Sequence, residues 1–185
     1  MCYGFNHEEA VRCFEKALKH DPGLAMAYWG MAYAWGPNIN NMLIEPPQMA
    51  QADLAIRIAK LHAAGATDKE KALIEALAKR YQTPLPEDRD TLNQGYADAM
   101  RKVHESHSDD PLVITLFAES LMNLQPWKHW SPEGEPGEHT AEITKVLEQG
   151  LHQHPGYPGM AHLYIHAMEA SPTPEKALPI ADELR

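Results

Sequence analysis

One segment near the C-terminus carries three side chains that could hold a metal ion. His162, His166 and Glu169 are separated by four and three residues, which places them on one face of an α-helix. Imidazole and carboxylate groups together suit zinc, copper, iron or manganese. The same spacing also fits histidines that hydrogen-bond to their neighbours, with His166 paired to Glu169. Both interpretations stay open: a transition-metal site, or a structural or groove-lining role.

Four asparagines near the N-terminus could contact a ligand. Asn6, Asn38, Asn40 and Asn41 cluster around the first predicted helical pair. Asparagine amides can hold a peptide backbone or a terminal carboxylate, but they also cap helices and fill turns. The sequence therefore offers ligand contact and turn chemistry as alternatives for this group.

A segment rich in tryptophan and proline, residues 125–137, interrupts the helical pattern. It contains Trp127 and Trp130 together with three prolines, and it is too aromatic for a free linker. We expect an ordered loop packed on the helices. Its tryptophans either form a recognition surface or have a structural role, in which they act as a plug packed against the helices.

The motifs of several enzyme classes are missing from this sequence. It contains no phosphate-binding Gly-x-x-x-x-Gly-Lys-[Ser/Thr] loop, no Gly-x-Ser-x-Gly nucleophile elbow and no His-Glu-x-x-His motif. His162 and His166 have the spacing of a zinc-binding helix, but Leu163 occupies the position of the general-base glutamate. These observations predict a non-catalytic protein.

Composition excludes other classes of partner. The 185 residues carry 16 basic and 26 acidic side chains, a net charge of -10, whereas phosphate backbones require clustered Lys and Arg. The longest apolar stretches, such as 112–118, are too short to span a bilayer. We expect no nucleic-acid partner and no membrane contact. Without a signal peptide in this chain, we expect a soluble protein, cytoplasmic or, if a leader precedes the segment, exported.

The hydrophobic pattern predicts helices throughout and no strands. Proline, glycine and aspartate separate the helical segments, and Thr67 with Glu70 has the spacing of a capping box. The predicted helices cover about 7–19, 24–35, 48–63, 67–81, 87–106, 111–124, 139–152 and 159–170, with a ninth starting at 173.

The first two of these segments resemble the tetratricopeptide repeat. Small and bulky residues alternate at the spacing that lets antiparallel helices approach closely, and a proline ends the unit. The residues concerned are Ala10, Phe14, Ala17, Pro22, Ala25, Ala27, Tyr28, Met31, Ala32 and Trp35.

Four longer strings look like a family of bacterial tetratricopeptide-repeat proteins. They are Gly4-Phe5-Asn6-His7-Glu8-Glu9-Ala10, Ala25-Met26-Ala27-Tyr28-Trp29-Gly30, Gly36-Pro37-Asn38-Ile39-Asn40 and His162-Leu163-Tyr164-Ile165-His166-Ala167-Met168-Glu169-Ala170-Ser171. The resemblance implies a longer protein, with a helix before this chain and further histidine-bearing repeats after it. It implies an architecture more than an activity.

We therefore predict a single all-α domain over residues 1–185, in which eight to nine helices form antiparallel pairs stacked as a right-handed, tetratricopeptide-like superhelix. Its predicted function is that of a scaffold that binds a peptide or protein partner in a concave groove. The alternative is a metal-binding or metal-dependent protein. A further expectation is homo-oligomerisation through uncapped repeat ends.

Overall fold

The computed structural model describes residues 2–4 and 6–184; Phe5, part of the first family-like string, lies outside them. These residues form nine α-helices and no β-strand, which confirms the predicted all-α class and the number of helices. The helices are α1 His7–His20, α2 Ala25–Trp35, α3 Pro46–His62, α4 Asp68–Leu77, α5 Asp90–Ser106, α6 Pro111–Met122, α7 Thr140–Gln153, α8 Pro158–Met168 and α9 Leu178–Asp182. The superhelical arrangement stays a prediction.

The chain divides into two compact units, Met1–Val103 and His104–Arg185. In the first unit α1 packs on α2, α2 on α3, and α4 contacts both α2 and α3. In the second unit α6, α7 and α8 pack on one another, and α9 contacts α8. The organisation of the whole chain as a single domain stays a prediction.

Local sequence signals explain where the helices begin. Thr67 and Glu70 form the predicted capping box at the start of α4: Thr67 N donates to Glu70 Oε2 at 2.8 Å, and Glu70 N donates to Thr67 Oγ1 at 3.3 Å. The hydrogen bond from the Thr67 backbone lowers the pKa of Glu70. At α6, Asp110 Oδ1 accepts from Val113 N at 3.0 Å, and Pro111 occupies the first turn.

The core of the first unit depends on close helix contacts. At Gly30 in α2, an added Cβ would collide with the ring of Phe14 in α1. Trp29 Nε1 donates to Leu73 O at 3.1 Å, and the Trp29 ring stacks on Tyr33 with centroids 5.4 Å apart. The Phe14 ring thus packs against Gly30, and α1 and α2 are in close contact at this point.

The fourth helix ends earlier than its apolar stripe suggests. α4 stops at Leu77, a 3-10 turn covers Ala78–Arg80, and Tyr81 follows in extended backbone. Tyr81 is nevertheless buried, and its hydroxyl donates to Ala32 O in α2 at 2.7 Å. The apolar spacing correctly marked Tyr81 as a core residue although it lies outside the helix.

Within the described residues, no helix is long and apolar enough to cross a membrane.

Candidate functional site

The second unit brings together the tryptophan-rich loop and the histidine-bearing face of α8. The sequence-predicted site residues found there are Trp127, Trp130, His162, His166 and Glu169. Sequence spacing had already related the last three, but only the tertiary structure relates them to the loop. We therefore treat this region as the principal candidate site.

Gln125 holds the loop in place. Its side chain is 9% exposed, and its Oε1 accepts from His139 N at 2.9 Å. Its Nε2 donates to Thr140 Oγ1 at 2.9 Å and to His129 Nδ1 at 3.1 Å. Because a backbone N–H can only donate, the hydrogen bond from His139 fixes which end of the amide faces which partner. One buried glutamine thus ties both ends of the loop to the start of α7.

The two tryptophans have different environments. Trp130 is half-buried, and its Nε1 donates to Ala167 O in α8 at 2.7 Å. Trp127 is 66% exposed and meets the ring of His166 edge-on, with centroids 6.4 Å apart. Trp127 also has a positive φ of 62°, a conformation that costs a bulky residue free energy and that clusters at functional sites. Trp130 anchors the loop, whereas Trp127 presents its ring to solvent.

An open groove of about 720 Å³ lies beside these tryptophans. We call it the Trp127 groove, and it is lined by Trp127, Lys128, Trp130, Ser131, Pro132, Glu135, Pro136, Gly137 and Ala170. Its volume lies within the range of ligand pockets. Its apolar lining includes two tryptophans and two prolines, and one lysine and one glutamate supply charge of each sign.

The predicted histidine pair is formed on α8. His162 Nε2 and His166 Nε2 lie 3.0 Å apart, and the two rings stack with centroids separated by 4.9 Å. Glu169 Oε1 accepts a hydrogen bond from His166 Nδ1 at 3.1 Å. If neutral, His166 then carries its lone pair on Nε2, so His162 donates the proton between the two rings.

Glu169 therefore does not face the space between the two Nε2 atoms, where a metal ion would be bound. It bonds to the far nitrogen of His166, as carboxylates do behind metal-ligating histidines. Across residues 2–4 and 6–184, no group of three or more His, Cys, Asp or Glu side chains is arranged to hold a metal ion. The arrangement fits a chelate of two imidazoles, with solvent completing the coordination.

A third histidine, His129, lies close enough to feel the charges of this pair. Its pKa is lowered, first by burial and then by the positive charge of His166, while Glu169 acts in the opposite direction. Its Nδ1 accepts from Gln125, so that nitrogen carries no proton. His129 is held as a neutral imidazole with its proton on Nε2.

Tyr164 joins α8 to α7 on the buried side of the same helix. Its hydroxyl donates to Glu148 Oε1 at 2.9 Å. Burial and this carboxylate raise the pKa of Tyr164 to about 12, so the phenol keeps its proton at physiological pH. The face of α8 that carries His162 and His166 is thereby held by contacts on its opposite side.

The asparagines lie in the first unit and mainly shape backbone. Asn6 Oδ1 accepts from Glu9 N at the start of α1, at 3.4 Å. Asn38 Oδ1 accepts from the backbone N–H groups of Asn40 and Asn41 at 3.0 and 3.1 Å. Asn41 Oδ1 accepts from Leu43 N at 3.0 Å. The amide oxygens of Asn6, Asn38 and Asn41 are thus used in a cap and in turns.

Two of these asparagines also line a pocket. A cavity of about 450 Å³ between α1 and the loop after α2 includes His7, Asn38 and Asn41 in its wall. Asn38 Nδ2 lies 3.3 Å from His7 Nε2, and burial lowers the pKa of His7. Asn6 and Asn40 are not among the lining residues. Ligand contact by the asparagines stays a prediction, and the structure relates it to Asn38 and Asn41.

Several residues of structural or chemical interest carry little signal in the sequence. Gln125 and His129 sit in a loop without periodicity, which gives no signal of their contacts. Arg80 of the first unit is buried and Arg89 is partly buried, and only Arg80 has a detectable signal in the sequence. It follows Leu73 and Leu77 at the spacing of their apolar stripe.

Comparison with protein-family models, with curated proteins and with solved structures finds no match for this chain.

Proposed function

We propose that this protein is a non-catalytic helical-repeat scaffold that binds an extended peptide segment of a partner protein, and that the Trp127 groove is the binding site. The exposure of Trp127 carries the proposal. An indole held at positive φ by a loop that is itself tied down is an ordered ring facing water, and ordered exposed aromatics are common anchors of protein interfaces.

The chemistry of the groove suits an extended peptide. Trp127, Trp130 and the prolines Pro132 and Pro136 offer apolar surface to one or two side chains of the ligand. Ser131 adds a hydroxyl, although its Oγ already donates to Glu133 Oε2 at 2.9 Å. Lys128 and Glu135 allow charge complementarity at the rim.

Selection from a random peptide library displayed on phage tests this function without a known partner. We expect enrichment of sequences with an aromatic or proline residue, and we expect Trp127→Ala to weaken their binding about 30-fold, the effect of losing a hot-spot tryptophan. The matched control is Leu178→Ala, since Leu178 is 63% exposed in the same unit. A library without enrichment, or binding that survives Trp127→Ala, would contradict the proposal.

A second candidate function, metal binding, is favoured by the geometry of the histidine pair. Two Nε2 atoms 3.0 Å apart, with a carboxylate behind one ring, can together bind a zinc or copper ion once His162 carries its proton on Nδ1 in place of Nε2, so that both rings ligate as neutral imidazoles. Such a site has two protein ligands and therefore modest affinity.

Metal titration by calorimetry tests this candidate. We expect one Zn²⁺ per chain, lost in His162→Ala and in His166→Ala, and bound about 10-fold more weakly in Glu169→Gln. His152→Ala is the control, because His152 is an exposed histidine at the end of α7 in the same unit. Equal zinc binding by the wild type and the His162→Ala, His166→Ala double variant would exclude the histidine pair as the site.

A further inference from the structure

Two arginines of the first unit have guanidinium nitrogens buried from solvent. Arg80 is 0% exposed, and Arg89 is partly buried. Arg80 Cζ lies 5.1 Å from the ring centroid of Tyr96 in α5, the helix that begins directly after Arg89. In keeping with this placement, the positive charge of Arg80 lowers the pKa of Arg89, second only to burial in its effect. Like charges in a buried environment repel strongly, because little water is present to screen them.

The guanidinium of Arg80 has no hydrogen-bond partner in the described part of the chain. Its Nε, Nη1 and Nη2 are all buried without a hydrogen-bond partner among the described residues, and the guanidinium lies over the ring of Tyr96, 5.1 Å from Cζ to the centroid. A cation–π contact is weak compensation for a buried charge whose five N–H donors are all unmatched.

Arg89 is only partly satisfied. Its Nη1 donates to Met42 O at 3.1 Å, but Nε and Nη2 are buried and find no partner in the described residues. Asp90 follows it in the chain, and the negative charge of Asp90 acts on the pKa of Arg89 in the opposite direction to Arg80. Nε and Nη2 lie on the same edge of the guanidinium, and this edge can donate two parallel hydrogen bonds to one oxyanion. Both donors of that edge are therefore available to a ligand.

A neutral polar group completes the cluster. Asn93 lies one helical turn after Arg89 and one turn before Tyr96, so the three side chains share a face of the chain at the start of α5. Asn93 is 6% exposed, and its Oδ1 is buried without a hydrogen-bond partner among the described residues. Since the two ends of an amide can be exchanged by a flip, Asn93 can also present its NH₂ group.

We propose that Arg80, Arg89 and Asn93 form a binding site for a doubly charged oxyanion, a phosphate group. Two guanidinium charges match a dianion, whereas a single carboxylate would leave one positive charge uncompensated. Tetrahedral phosphate presents enough oxygens to accept from both arginines and from the amide. Part of Arg89 is exposed and none of Arg80 is, so an anion enters on the Arg89 side with local opening of the structure.

Thermal unfolding and calorimetry with inorganic phosphate test the site. We expect phosphate to bind one per chain and to raise the unfolding midpoint, and we expect Arg89→Gln to weaken binding about 10- to 100-fold, the effect of losing charge-assisted hydrogen bonds. Arg12→Gln is the control, since it removes the same charge from an exposed helical position that pairs with Glu8 and Glu9. Acetate at matched ionic strength separates a requirement for a dianion from a preference for any oxyanion.

The results of these titrations distinguish a phosphate site from a general salt effect and from a site for any oxyanion. A midpoint that rises equally in the wild type, Arg89→Gln and Arg12→Gln is a general salt effect and overturns the proposal. Equal stabilisation by acetate and phosphate at matched ionic strength overturns the assignment to a dianion. Loss of phosphate binding in Arg89→Gln but not in Arg12→Gln supports it.

Arg80→Met provides a second measurement. This change removes the unmatched charge at similar volume and leaves a thioether over the Tyr96 ring. We expect the variant to unfold at or above the wild-type midpoint in phosphate-free buffer and below it in phosphate. A variant that is less stable than the wild type by the same amount in both buffers would assign Arg80 a purely structural role. If Arg80→Met does not fold, the phosphate titration of Arg89→Gln decides.

Discussion

Gly30→Ala is expected to destabilise the first unit by about 3 kcal/mol. The added Cβ would overlap three atoms of the Phe14 ring. Because an aromatic ring is rigid, it cannot relieve the overlap by an internal rotation as a flexible side chain can. Either α1 moves away from α2 or Phe14 leaves its rotamer, and both reduce the packing of the core. Urea unfolding followed by circular dichroism measures the change.

Gly65→Ala is the matched control for this experiment. It makes the same chemical change in the first unit, at an exposed glycine where an added Cβ meets nothing within 4 Å. We expect it to change the free energy of unfolding by less than about 0.5 kcal/mol. The double variant Gly30→Ala, Phe14→Leu should recover part of the stability, because a smaller side chain relieves the overlap. Equal unfolding midpoints for Gly30→Ala and Gly65→Ala would show that the two helices tolerate a wider separation.

Gln125→Ala is expected to have a comparable effect in the second unit, about 3 kcal/mol. The change removes the hydrogen bonds of Gln125 with His139 N, Thr140 Oγ1 and His129 Nδ1. Thr140 Oγ1 keeps its bond to His129 O, but His139 N and His129 Nδ1 lose the partner that Gln125 supplies. Each unmatched buried group costs about 1–3 kcal/mol. Hydrogen exchange of the His139 amide, which Gln125 protects, should accelerate together with a fall in the unfolding midpoint.

The same variant connects stability with the proposed function. Trp127 depends on the loop that Gln125 holds, so peptide binding to the Trp127 groove should weaken in Gln125→Ala although residue 125 does not line the groove. Gln153→Ala is the control, because Gln153 is exposed at the end of α7. Unchanged exchange at His139 would show that other contacts suffice to order the loop.

The two proposed sites can be tested independently, because they lie in different units. The phosphate site involves Arg80, Arg89 and Asn93 of Met1–Val103, whereas the Trp127 groove belongs to His104–Arg185. Failure of peptide selection leaves the phosphate titration intact, and the reverse also holds. Each variant therefore reports on one proposal.

The sequence by itself determined most of the secondary structure. The period of the apolar residues and the prolines between segments predicted the helices to within a few residues. The capping box of Thr67 and Glu70 is formed as its spacing requires. It also determined that His162 and His166 share a face of α8, since residues four apart on a helix are neighbours. These features depend on local interactions, which a linear pattern records.

The tertiary structure alone decided which distant residues meet. Trp127 reaches His166, and Trp130 reaches Ala167, through a loop whose contacts have no period. Arg80 lies at the end of an apolar stripe, but only the packing of the unit buries its guanidinium over the ring of Tyr96, with no hydrogen-bond partner in the described part of the chain. Such contacts join residues far apart in the chain and arise from the close packing of side chains, which local propensity does not encode.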